Sequence, residues 1–348
     1  MAVIRRLCAL ICYRAYSNAV FVLILALVSW PASAMTGNSQ EKCTSTSLLY
    51  ELDQRDRTAL ERLLKNATAI PNSETILWKV EKDGAQPSYL FATVHVVDDS
   101  LFSLRPTVLE ALAQSKVVAL ESAEISRAAM RYAMAQVGPL MVTTERPVLS
   151  ILDEEELRIV ENILFKAGFP KEMALGFRPW VITMFLADSH CQKSKHEKGF
   201  KSLDLMVAEE AKARKIKIVG LEKMLEQYET MASVADNAQA AWLKASVKLY
   251  DRVDDMAHTM AELYRFRRLG AVWDLTRELA PDAGLDDQAV ASLQHDLVDR
   301  RNIRMLERAV PLLDEGGSFI AVGALHLMGE TGLVAQLKAR GYKLTALE

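Results

Sequence analysis

The sequence predicts an α/β fold: a mixed, mostly parallel central sheet built from N- and C-terminal βαβ units, with a largely helical middle region. Two stretches carry that expectation. Near the end of the chain, Phe319 to Val322 is an apolar run that leads through Gly323 into His326. Gly332 to Arg340 is then amphipathic, Gly341 marks a turn, and Tyr342 to Leu347 is β-prone again. Strand, histidine loop, helix and strand in that order is the pattern of a βαβ unit. The same order occurs near the front: Tyr89 to Thr93 leads to His95, Pro106 to Gln114 has helical spacing, and Lys116 to Glu121 is apolar. Laying Ala92 to Val97 over Gly323 to Met328 places His95 on His326.

The chain opens on a segment with the features of an export signal. Arg5, Arg6 and Arg14 precede an apolar run, Ala19 to Val28, and Ala32-Ser33-Ala34 supplies small residues for cleavage after Ala34. That run is about ten residues, against the roughly 20 a membrane span needs, so the mature chain is expected to carry no span and to be secreted or periplasmic. Loss of 1–34 removes three arginines and no acid, moving the formal charge from −3 to −6. Cys43 and Cys191 remain; in an oxidising compartment they either pair or stand as two unrelated thiols. No lipobox precedes Cys43.

Residues 35–75 read as a polar flexible stretch followed by a surface helix over Leu48 to Leu64, and 76–348 as one α/β domain with a helical insertion at about 125–310. Ile76 to Glu81 and Ser88 to Thr93 flank Asp83-Gly84, a hairpin that feeds His95. The strand from Lys116 ends at Glu121, with Glu124 beyond. Asp153 is a cap for a helix to Lys166, and Pro179 sits in the first turn of the next. His190 to Phe200 is expected to be a loop between helices. Leu203 to Arg214 is helical, and Lys215 to Val219 is a strand ending at Gly220-Leu221-Glu222. Ala238 to Phe266 and Asp286 to Val310 are further helices, with Pro311 and Gly316-Gly317 releasing the chain into the closing unit.

Ligands of open α/β sheets bind beyond the carboxyl ends of the strands. His95, Glu121, Glu222 and His326 all fall at such ends. A lone histidine there more often completes a local hydrogen bond; two in repeated contexts point to a site. Imidazoles with carboxylates suit zinc, manganese, cobalt or iron, leaving a position for water and a second carboxylate as general base.

Other candidates are weaker. His190, Cys191 and His196 lack a second ligand pair for a zinc knuckle. Trp180 reads as core, His258 and His295 as exposed, and Met130, Met134 and Met141 as core filling. No Gly-x-Ser-x-Gly elbow is present. Charge is not gathered into a basic stripe, so nucleic acid is not an expected partner.

These motifs resemble the TraB/GumN (TraB/PrgY/GumN) family, related to the Tiki proteases and more distantly to the erythromycin esterase and ChaN-like fold. The resemblance rests on Ala92-Thr93-Val94-His95, Glu121, Arg178-Pro179-Trp180, Ser202-Leu203-Asp204 and Gly220-Leu221-Glu222 with Gln227. It closes on Arg301-Asn302, Gly323-Ala324-Leu325-His326-Leu327 with Gly329-Glu330, and Arg340-Gly341-Tyr342. It implies a metal-dependent hydrolase acting on a peptide or small amide or ester. His95, Glu121 and His326 would be the metal or catalytic residues, and Glu222, Arg301 and Glu330 supporting polar groups. Ala92 departs from the glycine usual in the first motif, and a positive φ there would strain it. The opposing expectation is a non-catalytic periplasmic protein that holds a metal, haem or peptide in the same cleft.

Overall fold

Four parallel strands followed by two at the far side make up a six-stranded sheet ordered β4-β3-β5-β2-β1-β6. They are β1 (Leu77–Glu81), β2 (Ser88–Thr93), β3 (Val117–Ser122), β4 (Lys217–Glu222), β5 (Ser318–Gly323) and β6 (Lys343–Ala346). The computed structural model describes residues 43–124, 127–187 and 189–348. The segment 1–34, expected to be an export signal, and most of the polar stretch after it lie outside the described residues.

The fold class agrees with the sequence reading, but the two βαβ units interlock. β5 pairs in parallel with both β2 and β3, so it separates the strands of the front unit. β1 is antiparallel to β2 and to β6, so β6 closes the sheet with two strands between it and β5. Burial follows position. Every residue of β2 is buried, as expected of a strand covered on both faces, whereas β6 at the edge is mostly exposed. Ala92 sits in β2 opposite Val322 and does not have a positive φ, so its departure from glycine costs no strain.

Several helices differ from expectation. Asp56 interrupts the first by capping the backbone N–H of Ala59, giving Leu48–Arg55 and Arg57–Ala69. Neither merely covers the surface: Leu52, Ala59, Leu63 and Ala67 enter the main core under the sheet. His190–Glu197 is a helix rather than a loop, capped by Ser189, whose Oγ accepts from the N–H of Gln192 at 3.0 Å. Its polar sequence gave no periodicity, and a disulfide between Cys191 and Cys43 ties it to the front of the described chain. Pro311 lies inside the helix Arg300–Glu315. A proline there removes one helical hydrogen bond, and burial of Ala309 and Leu313 on either side holds the turn. Gly316, at φ 73°, ends it.

The middle region packs around two further apolar clusters. One contains Val137, Phe177, Trp180 and Leu243, and the other Val234, Ala245 and Leu293. Trp180 is a core residue, 1% exposed. Among the described residues, no helix is long and apolar enough to cross a membrane.

Candidate active site

The interlocked sheet brings its strand-end polar groups to one edge through strand register. Thr93 at the end of β2 lies opposite Gly323 at the end of β5, and Ser122 at the end of β3 lies opposite Glu222 at the end of β4. His95 and His326 follow within three residues of that pair and share one space. A Cβ placed on Gly323 would stand 3.0 Å from Glu121 Oε1, 3.6 Å from His326 Cδ2 and 3.9 Å from His95 Nε2. Glycine at this position is what leaves that space open.

Each imidazole is held from behind. His95 Nδ1 lies 2.8 Å from Asp204 Oδ2, while Thr93 Oγ1 donates to Asp204 Oδ1 at 2.6 Å. Asp204 sits in the first turn of the helix Leu203–Ala213, where the helix dipole favours an anion. A carboxylate can only accept, so His95 Nδ1 carries a proton and Nε2 faces the space. His326 Nδ1 lies 2.7 Å from Asn302 Oδ1. The Asn302 amide is oriented by its Nδ2, which donates to the Thr331 carbonyl at 3.0 Å. His326 therefore also presents Nε2, 3.8 Å from Glu121 Oε1.

Glu121 is 7% exposed and fully engaged: Oε1 accepts from the Gly323 N–H at 2.6 Å and Oε2 from Arg301 Nη2 at 2.7 Å. Arg301 also donates through Nε and Nη2 to Glu222 Oε2, at 2.9 and 2.7 Å, and through Nη1 to the Leu297 carbonyl. Arg304 completes Glu222 at 3.0 Å. A π-helical turn, His295–Asp299, feeds Arg301 and Asn302 into the site; such turns recur at functional positions.

Electrostatics set the two rings apart. Burial pushes His326 down to about 3, which leaves it neutral. The Asp204 carboxylate pulls His95 upward, to about 9, although a side chain 69% exposed feels that pull through solvent. Burial works to raise the Glu121 carboxyl, but the permanently charged Arg301 guanidinium opposes it and keeps the group ionised, its pKa lowered from the ordinary value.

Of the residues expected to matter, His95, Glu121, Glu222, Arg301 and His326 come together. Glu330 is exposed in the turn after His326, outside this hydrogen-bonded cluster. Asp204 and Asn302 were visible only as parts of motifs, because their partners come from distant segments. Of the two histidines expected to be exposed, His295 is, while His258 pairs with Asp98 at 3.0 Å. Among the described residues, no three His, Cys, Asp or Glu side chains are gathered closely enough to hold a metal ion as they stand. The chemistry of the donors nonetheless suits a divalent cation, since both rings have their Nδ1 protons fixed by acceptors behind them, as metal-ligating histidines do.

Comparison with known proteins follows the same lines. Metalloprotease TIKI1 of Danio rerio is 23% identical over 329 residues, covering 80% of this chain and 64% of that protein. The chain thus spans less than two thirds of the length of this relative. No solved structure matches the chain. The profile of the TraB/PrgY/gumN family matches residues 76–346, from the first strand of the sheet to the last, and the chain belongs to that family.

Proposed function

We propose that the protein is an exported metal-dependent hydrolase, peptidase-like, acting on a peptide or a small amide or ester. The observation that carries this reading is the pair of imidazoles, each fixed at Nδ1, that turn Nε2 toward the space beside Gly323 and Glu121. His95, His326 and Glu121 would hold the ion, which when bound supplies Lewis acidity and activates water. Zinc, manganese, cobalt and iron all accept such a donor set. Glu121 contributes an anion whose second oxygen is held by Arg301, and Glu222 balances the charge of that arginine. Arg301 acts by orienting carboxylates, because its donors are directed to Glu121, Glu222 and the Leu297 carbonyl. His95 is the most open member and is where substrate would first meet the site. The disulfide accords with export, since such bonds persist in oxidising compartments.

The test is turnover of a peptide library by purified protein with zinc, manganese or cobalt added. Equal loss of cleavage in His95→Ala and His326→Ala supports the hydrolase. Tight retention of a metal, haem or peptide with no turnover under any ion would instead support a binding protein.

A further inference from the structure

We propose that Gln192 is a positioning residue for His95, and that the Cys43–Cys191 disulfide fixes the helix that carries it. This rests on the reading of His95 as a functional group. His95 lies on the loop that leaves β2, where no strand neighbour continues the pairing. Two residues on, Val97 is 1% exposed, and both of its backbone polar groups are taken by one side chain. Gln192 Oε1 accepts from the Val97 N–H at 2.7 Å, and Gln192 Nε2 donates to the Val97 carbonyl at 2.8 Å. A side-chain amide that meets both groups of one residue imitates a neighbouring strand and fixes where that residue lies and which way it faces.

The same helix grips the loop a second time. Lys195 Nζ stands 3.7 Å from Asp98 Oδ2 and 3.5 Å from Asp99 Oδ1, while His258 Nδ1 lies 3.0 Å from the same Asp98 oxygen. The helix itself, His190–Glu197, is eight residues long and has no apolar stripe. A segment that short is not stable on its own. Its anchors are the Ser189 cap and the disulfide at Cys191, the residue beside Gln192. Metal and catalytic constellations tolerate only about 0.5 Å of displacement. Release of Val97 would move His95 relative to Asp204 and His326, although Gln192 touches none of them.

The experiment is long-range proton–nitrogen NMR of histidine side chains in the full chain, with zinc affinity measured in parallel by chelator competition. In Gln192→Leu, the His95 ring signals shift or broaden while those of His326, fixed by Asn302, stay in place. Zinc affinity falls about tenfold, the lower bound for loss of a supporting partner. Gln192→Glu keeps the acceptor for the Val97 N–H but opposes a carboxylate to the Val97 carbonyl, and gives a smaller shift in the same signals. Cys43→Ser with Cys191→Ser shifts them as well. Unmoved His95 signals in Gln192→Leu, or in Gln192→Glu if the leucine variant does not fold, overturn the assignment. Unmoved signals in the cysteine variant alone overturn the part played by the disulfide. A wild-type protein that binds no zinc counts against the metal-dependent hydrolase, and the His95 signals still decide the role of Gln192.

Discussion

Asn302 and His326 form a hydrogen bond of 2.7 Å between a side chain that is fully buried and a ring that is 4% exposed. The asparagine is fixed in turn by the Thr331 carbonyl, so the tautomer of His326 is set by a chain of two bonds. Asn302→Ala removes the acceptor that faces the buried imidazole N–H, while the Thr331 carbonyl keeps its bond from Gln336 at 2.7 Å. Loss of a buried partner costs about 1–3 kcal/mol, visible as a lower urea midpoint at unchanged slope. Zinc affinity should drop about 10- to 100-fold with it. Unaltered zinc binding would separate His326 from the metal.

Gly323→Ala tests the open space directly. The residue has φ −53°, which alanine adopts freely, so folding is not opposed by backbone strain. Its new methyl would meet Glu121 Oε1 at 3.0 Å and crowd both rings. We expect near wild-type melting with zinc affinity and peptide cleavage reduced at least about tenfold. A variant that binds and cleaves as wild type would place the chemistry elsewhere.

Arg301 is the cation between two buried carboxylates, 2.7 Å from each. Arg301→Met leaves Glu121 and Glu222 facing each other with one guanidinium, that of Arg304, remaining on Glu222. Removing one partner of a buried pair costs about 3–5 kcal/mol. Adding Glu222→Gln should recover part of it, because one of the two anions that then face each other is gone. Equal urea midpoints for the single and double variants would contradict the coupling.

Glu226 gives a pH dependence away from the site. The bidentate hydrogen bonds from Arg308, at 2.7 and 2.8 Å, hold its carboxyl down at about 2 from an ordinary 4.5. A depressed carboxylate stabilises the fold above its unfolded value and loses that contribution as pH falls toward the folded one. Stability should therefore fall more steeply between pH 4.5 and 2 in wild type than in Glu226→Gln. The difference is up to about 1 kcal/mol, as for a partly exposed pair, and acid titration of the urea midpoint reads it. Parallel acid profiles would remove Glu226 from the account.

The sheet and its polar edge were legible because β2, β3 and β5 are continuous apolar runs that stop at His95, Glu121 and Gly323. Strand order was not, since an apolar run carries no mark of its neighbour, and β5 pairs on both sides. Asp204 and Asn302 act through residues 109 and 24 positions away, beyond any local pattern. The helix around Gln192 owes its form to a cap and a covalent bond rather than to periodicity, so its polar letters read as loop.

The insertion of β5 between β2 and β3 has a consequence for biogenesis. Ser318, which starts β5, bonds Ser88 across 230 residues of chain. Until the ribosome has made that late strand, β2 has a partner only in β1 and β3 only in β4, and the other flank of each stays open. Contacts that distant are slow to form, and exposed flanks invite association with other chains. A nascent protein of this topology stays unfinished through most of its synthesis, and the pocket between its two imidazoles forms only once the late strand is in place.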